Sequence, residues 1–237
     1  MDDQTDNKLS TAISKLRQQY SDIFVLRASV QAIPYIGGSI DTLFAGRAAQ
    51  IHLQRVEKFA INLADRLAAV ESTTANFDDE AFADLMRSTF EAVARTRSDK
   101  KRSRFAQIIA NQVENPMMWE EPENAVRLLS DLEDIHIEII VTALGAPTAE
   151  GVFSGLRVVS LAAKPLEGEK QNTPVSLLAL FPHYGSAALR MACAELTAKG
   201  LLHDEGIGRL GVGSMVYFVP TDLAEWLSSW IGQGQLK

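Results

Sequence analysis

Along the first 130 residues apolar positions recur at spacings of three and four, the period of a helix buried on one side. Leu9, Ile13 and Leu16 predict a helix over 8–19, and a second follows over 22–33 before Pro34-Tyr35-Ile36-Gly37-Gly38 interrupts the pattern. Ser39 is placed as the N-cap of a long helix reaching about Ser72. Its later part carries Val56, Phe59, Leu63, Leu67 and Val70, a seam for a helical pair formed within the chain or between two copies. Asp78, Asp79 and Glu80 put negative charge at the start of the next helix, with Phe82, Leu85, Met86, Phe90 and Val93 inside. Ser98 or Asp99 caps another, with Phe105, Ile108, Ile109 and Val113 inside, and Asn115-Pro116 ends it. A loop with Trp119 and Pro122 leads to a short helix over 124–129. Residues 1–130 therefore read as a helical bundle with a candidate dimerisation seam.

From Asp131 the pattern changes. Ile135, Ile139, Ile140 and Leu144 make a helix ended by Gly145, and 145–173 shows no clear period, so an irregular insert is expected there. A short helix over 174–181, a turn over 182–185 and a longer helix over 186–199 follow, the last closed by Gly200. Leu201-Leu202-His203 reads as a strand, 204–214 as a glycine-rich hairpin tip and 215–219 as the returning strand. Thr221 caps a final helix with Leu223, Trp226, Leu227 and Trp230.

The segment LRMACAELTAKGLLHDEGIGRL followed by MVYFVPT resembles the winged-helix superfamily in its run of helix, Lys-Gly-Leu-Leu, wing and terminal Pro-Thr. The resemblance covers about 131–231 and implies a winged-helix domain over 131–237, with 145–173 longer than the usual connection. AIPYIGGSIDTLF and RTRSDKKRSRFAQIIANQ in the first half are similar to a pattern in functionally uncharacterised bacterial proteins, which carries no mechanism. The fold class expected is mainly α: a helical bundle followed by a winged helix with a small β-hairpin wing.

Members of that superfamily commonly place their third helix in the DNA major groove. Here the inner face of that helix is Leu189, Ala192, Cys193 and Leu196, and the outer one is Ala187, Met191, Ala194 and Ala198, with Arg190, Thr197 and Lys199 nearby. Reading bases requires Arg, Lys, Asn or Gln aimed at base edges. The outer face is instead a second apolar stripe, which suits packing against protein.

Charge supports the same choice. Lys and Arg number 23 against 30 Asp and Glu, a net charge of −7. Residues 1–130 carry 16 basic and 18 acidic side chains, and 131–237 carry 7 and 12, so the C-terminal part is the acidic one. Phosphate binding rests on basic side chains displacing counterions, so this balance disfavours DNA. The wing adds only Arg209, against Asp204 and Glu205. The one basic concentration is Arg95, Arg97, Lys100, Lys101, Arg102 and Arg104, the candidate nucleic-acid or phosphate patch. Helical geometry spreads the last four around the circumference, so a solvated junction paired with nearby acids is the competing reading.

Other motifs carry less. Gly206-Ile-Gly-Arg-Leu-Gly211 matches a dinucleotide fingerprint literally, but that chemistry needs a helix to follow, and a strand is expected instead. The apolar arms at 23–45 could form a membrane-inserting hairpin, but Arg27, Gln31 and Asp41 interrupt them and neither arm is long enough to cross a bilayer. His52, His136, His183 and His203 lack metal-ligand spacing, and Tyr184-Gly185-Ser186-Ala187-Ala188 is not a full nucleophile elbow. No catalytic, cofactor-binding or metal residues are assigned. One cysteine, an acidic N-terminus without an apolar signal core and no long apolar run point to a cytoplasmic protein without a membrane span. The expectation is a non-enzymatic bacterial regulatory or adaptor protein, a homo-oligomer or bound to a protein partner. A winged-helix transcription regulator and a membrane-associated effector using the 23–45 hairpin are the alternatives.

Overall fold

A computed structural model describes residues 47–68, 79–115, 117–118, 120–162, 174–207 and 213–232. The expected helices over 8–33, the 23–45 hairpin, Ser39, Val70, Asp78, Pro116, Trp119, Gly208, Arg209 and Gly211 lie outside the described residues. The protein is mainly helical with a small mixed four-stranded sheet. It divides into two compact units, Met1–Asp131 and Leu132–Lys237.

In the first unit the described helices are α1 (Arg47–Ala68), α2 (Asp79–Arg95), α3 (Asp99–Glu114) and α4 (Glu120–Ser130). The apolar stripes read from the sequence are the buried ones: Val56, Phe59, Leu63 and Leu67 of α1, and Phe82, Leu85, Met86, Phe90 and Val93 of α2. Phe59 meets Phe90 edge to face, with ring centroids 5.5 Å apart. Phe105, Ile108 and Ile109 of α3 are fully buried, whereas Val113 is only partly so. Ser98 is the cap of α3, its hydroxyl accepting from the Lys101 N–H at 3.0 Å. The fourth helix starts earlier than expected, at Glu120, where Glu120, Glu121 and Glu123 face the positive end of the helix dipole.

The second unit contains α5 (Asp134–Gly145), β1 (Val159–Ser160), β2 (Val175–Ser176), α6 (Leu177–Leu180), α7 (Ser186–Ala198), β3 (Leu202–Asp204), β4 (Tyr217–Pro220) and α8 (Asp222–Trp230). The sheet order is β2-β1-β4-β3. β4 is antiparallel to both β1 and β3, and β2 runs parallel to β1.

Two expectations need correction here. The insert is ordered in its described part: Thr148 bridges Arg157, a 3-10 turn spans Gly151–Phe153, and β1 follows. Phe153 and Val158 are buried against Tyr217, and the Phe153 and Tyr217 rings lie 4.8 Å apart, so apolar packing holds this stretch to the sheet. The segment 174–181 is not one helix either, because Val175 and Ser176 pair with β1 before the Ser176 hydroxyl caps the single turn of α6.

Candidate interaction surfaces

Helix α7 is closed as its sequence requires. Gly200 has φ +72°, and the N–H groups of Gly200 and Leu201 donate to the Thr197 and Leu196 carbonyls at 3.0 and 2.9 Å. This double closure satisfies two of the last carbonyls and needs the left-handed conformation that glycine adopts without strain. Leu189, Ala192, Cys193 and Leu196 are buried. Burial pushes the Cys193 thiol up to about 12, with Arg190 pulling weakly the other way, so it is an unreactive core group.

Ala187, Met191, Ala194 and Ala198 are all exposed on the opposite side, Met191 at 62 %. Arg190 is exposed beside them, and the Thr197 hydroxyl donates back to the Cys193 carbonyl at 2.9 Å. The outward side of α7 is therefore methyl and thioether surface flanked by the exposed Arg190 and Glu195 side chains.

The six basic residues divide into two sets. Arg95, Arg97 and Lys100 are exposed, but Lys101, Arg102 and Arg104 are buried, at 5, 6 and 9 % exposure. The Lys101 ammonium donates to the Ser130 carbonyl at 2.8 Å, at the end of α4. Arg102 donates to the Thr96 and Arg97 carbonyls at 2.8 and 3.1 Å and pairs with Asp99. From α1, Arg55 donates to the Ala94 carbonyl at 2.9 Å, and the His52 Nδ1 donates to the same oxygen. Carbonyls at a helix C-terminus lack partners in the helix and carry its negative dipole end, so cations are favoured there. Burial, then Arg102 and Arg97, hold the Arg55 guanidinium below its ordinary range. Two of the six, Lys101 and Arg102, thus satisfy carbonyls at or just past helix ends, Arg104 is buried, and Arg95, Arg97 and Lys100 are exposed. A signal for this was present: Lys101, Arg102 and Arg104 fall on the same helical period as Phe105, Ile108 and Ile109.

At the hairpin, the expected acidic pair Asp204 and Glu205 is not a pair of surface charges. Asp204 is 1 % exposed, and its carboxylate accepts from the Gly206 and Met215 N–H groups at 2.9 and 2.7 Å, tying both arms together. A Cβ on Gly206 would lie 2.2 Å from the Gly213 carbonyl oxygen, which explains the glycine there as close backbone packing. No helix follows within the described residues before β4.

The link between α6 and α7, where the end of a short helix and a turn over 182–185 are expected, holds a group of rings. Phe181, His183 and Tyr184 are in mutual ring contact, with His183 and Tyr184 centroids 4.2 Å apart and Phe181 6.1 and 6.2 Å from them. The Tyr184 hydroxyl donates to Glu138 Oε2 at 3.2 Å. Burial first, then the charge of Glu138 and its hydrogen bond, then Asp134, push the Tyr184 phenol up.

The histidines remain apart. His136 is buried, its Nδ1 accepting from the Glu133 N–H at 2.8 Å and its Nε2 2.9 Å from Glu195 Oε2 without hydrogen-bond alignment. His203 is exposed, 3.9 Å from Glu205. Among the described residues no three His, Cys, Asp or Glu side chains are grouped to hold a metal, and no helix is long and apolar enough to cross a membrane. The chain matches no protein-family model, no curated protein and no solved structure.

Proposed function

We propose that the protein is a non-enzymatic bacterial regulatory or adaptor protein of the cytoplasm, a helical bundle joined to a winged helix that makes protein contacts. The winged-helix reading is supported by the order α5, β1, α6, α7, β3, β4 and by β4 lying between β1 and β3. Here β2 is an addition at the sheet edge, and 145–173 extends the connection that contains β1.

One observation carries the choice of partner: α7 exposes Ala187, Met191, Ala194 and Ala198, with Ala188 exposed as well, and buries only Leu189, Ala192, Cys193 and Leu196. Such a face offers base edges little beyond the Arg190 guanidinium, whereas its small side chains allow another backbone to approach closely. The acidic excess of 131–237 adds a repulsive field toward phosphate.

Fluorescence anisotropy of a random labelled duplex at two salt concentrations, with light scattering on the same sample, tests this reading. The expected result is no salt-sensitive binding and an assembly larger than the 26.0 kDa chain. Salt-sensitive binding at micromolar protein would overturn it in favour of a transcription regulator and make Arg95, Arg97 and Lys100 the first residues to substitute.

A further inference from the structure

The loop before α7 combines three features that nothing in the packing of the core requires together. Leu180 is 53 % exposed, His183 is exposed, and Phe181 and Tyr184 are only partly covered, so ring and apolar surface meets solvent at one place. The three rings are held against each other at 4.2–6.2 Å, which fixes their orientation before any partner arrives. Carboxylates stand beside them: Glu138 accepts the Tyr184 hydroxyl, and Asp134, one turn earlier on α5, shares its side of the helix.

Aromatic faces attract cations through the ring quadrupole, and a neighbouring carboxylate adds a charge-assisted hydrogen bond. Of the two basic side chains, arginine fits this combination better. Its planar guanidinium stacks on a ring while donating in the same plane to a carboxylate, and it sheds water more readily than an ammonium. Burial first, and then the charges of Glu138 and Asp134, push the Tyr184 phenol up, in keeping with carboxylates beside the rings.

We propose that the Leu180–Tyr184 loop, with Glu138 and Asp134, is a docking site for an arginine-bearing segment of a partner protein, the guanidinium stacking on the Tyr184 and His183 rings and donating to Glu138. This rests on the reading of the second unit as a protein-contact module and names the chemistry of one partner. The Phe181 ring and Leu180 supply the apolar ground beside the cation, and the acidic excess of 131–237 attracts the same partner from a distance.

The test uses the full chain and hexa-arginine, hexa-lysine and hexa-glutamate peptides, followed by the NMR signals of the His183 and Tyr184 rings. Hexa-arginine is expected to shift both saturably and to bind at least about tenfold more tightly than hexa-lysine. Glu138→Gln, which keeps size and shape, and Tyr184→Leu, which keeps bulk but removes the ring, should each weaken that binding about tenfold, while Glu225→Gln on α8 leaves it unchanged. Thermal unfolding of each variant shows that the unit is intact, and Glu138→Gln decides alone if Tyr184→Leu is not folded. Equal binding of hexa-lysine, insensitivity to Glu138→Gln, or no movement of the rings would overturn the proposal. Adding duplex DNA to the same sample separates the two failures: salt-sensitive DNA binding defeats the protein-contact reading itself, whereas silent rings without DNA binding defeat only the arginine site.

Discussion

Helices α3 and α7 have opposite relations between composition and burial. α3 opens Asp-Lys-Lys-Arg-Ser-Arg, yet buries nine of its 16 residues, three of them cations. α7 is mostly alanine, leucine, methionine and cysteine, yet buries four of its 13. The difference lies in what each helix meets. α3 runs past the ends of α2 and α4, where carbonyls need donors, so Lys101 and Arg102 are drawn inward. α7 packs one side on its own unit and presents the other without a described neighbour in that unit, which is the arrangement expected of a surface kept for association.

Substitutions can break this contrast in order of size. Arg102→Ala should cost most, about 3 kcal/mol in chemical denaturation, because the Thr96 and Arg97 carbonyls lose a buried donor; Arg102→Lys should recover only part of it, since an ammonium cannot reproduce the fork. Asp204→Ala should cost about 2 kcal/mol by freeing two N–H groups at the hairpin base, and the loss should appear as faster amide exchange in β3 and β4. Ser98→Ala should cost about 1 kcal/mol, the ordinary value of a lost N-cap. Met191→Glu should change stability by less than about 0.5 kcal/mol, because the side chain already faces water, while abolishing association through α7. An equal loss of stability at Met191 and Arg102 would erase the distinction between the two helices.

The smallest effect at neutral pH concerns Cys193. Its thiol keeps its proton to about 12 when folded but releases it near the ordinary 9.0 when unfolded. The unfolded chain therefore binds fewer protons between those values, and the stability associated with this proton should be intact below pH 9 and fall as pH rises through the window. Alkylation by iodoacetamide at pH 9 should be slow until denaturant is added.

The helical part of the fold was legible where a single period runs on without competition. Phe82, Leu85, Met86, Phe90 and Val93 name the buried face of α2, and Ser98, Gly200 and Thr221 mark termini because their side chains or backbone meet specific local needs. The strands β3 and β4 were readable to within about two residues from Leu201-Leu202-His203 and Met215–Val219. β1 and β2 were not, since two-residue strands are too short to show alternation and their pairing with each other and with β4 is a long-range fact. The exposed and buried sides of α7 followed from its spacing. The inward turn of Lys101, Arg102 and Arg104 shares the period of Phe105, Ile108 and Ile109, but residue type argued for solvent, and the Ser130 carbonyl that receives Lys101 is 29 residues away. The ring cluster at Phe181–Tyr184 was hidden for a related reason: its meaning depends on Glu138, 46 residues away from Tyr184.

Site-directed photocrosslinking at Ala194 in living cells, with the same photoreactive residue at Glu225 as the control, reads directly whether α7 contacts protein or nucleic acid. Position 194 should give a discrete polypeptide adduct that is absent from position 225 and lost when Met191→Glu is added. Adducts confined to nucleic acid, or a polypeptide adduct indifferent to Met191→Glu, would contradict a protein contact through α7.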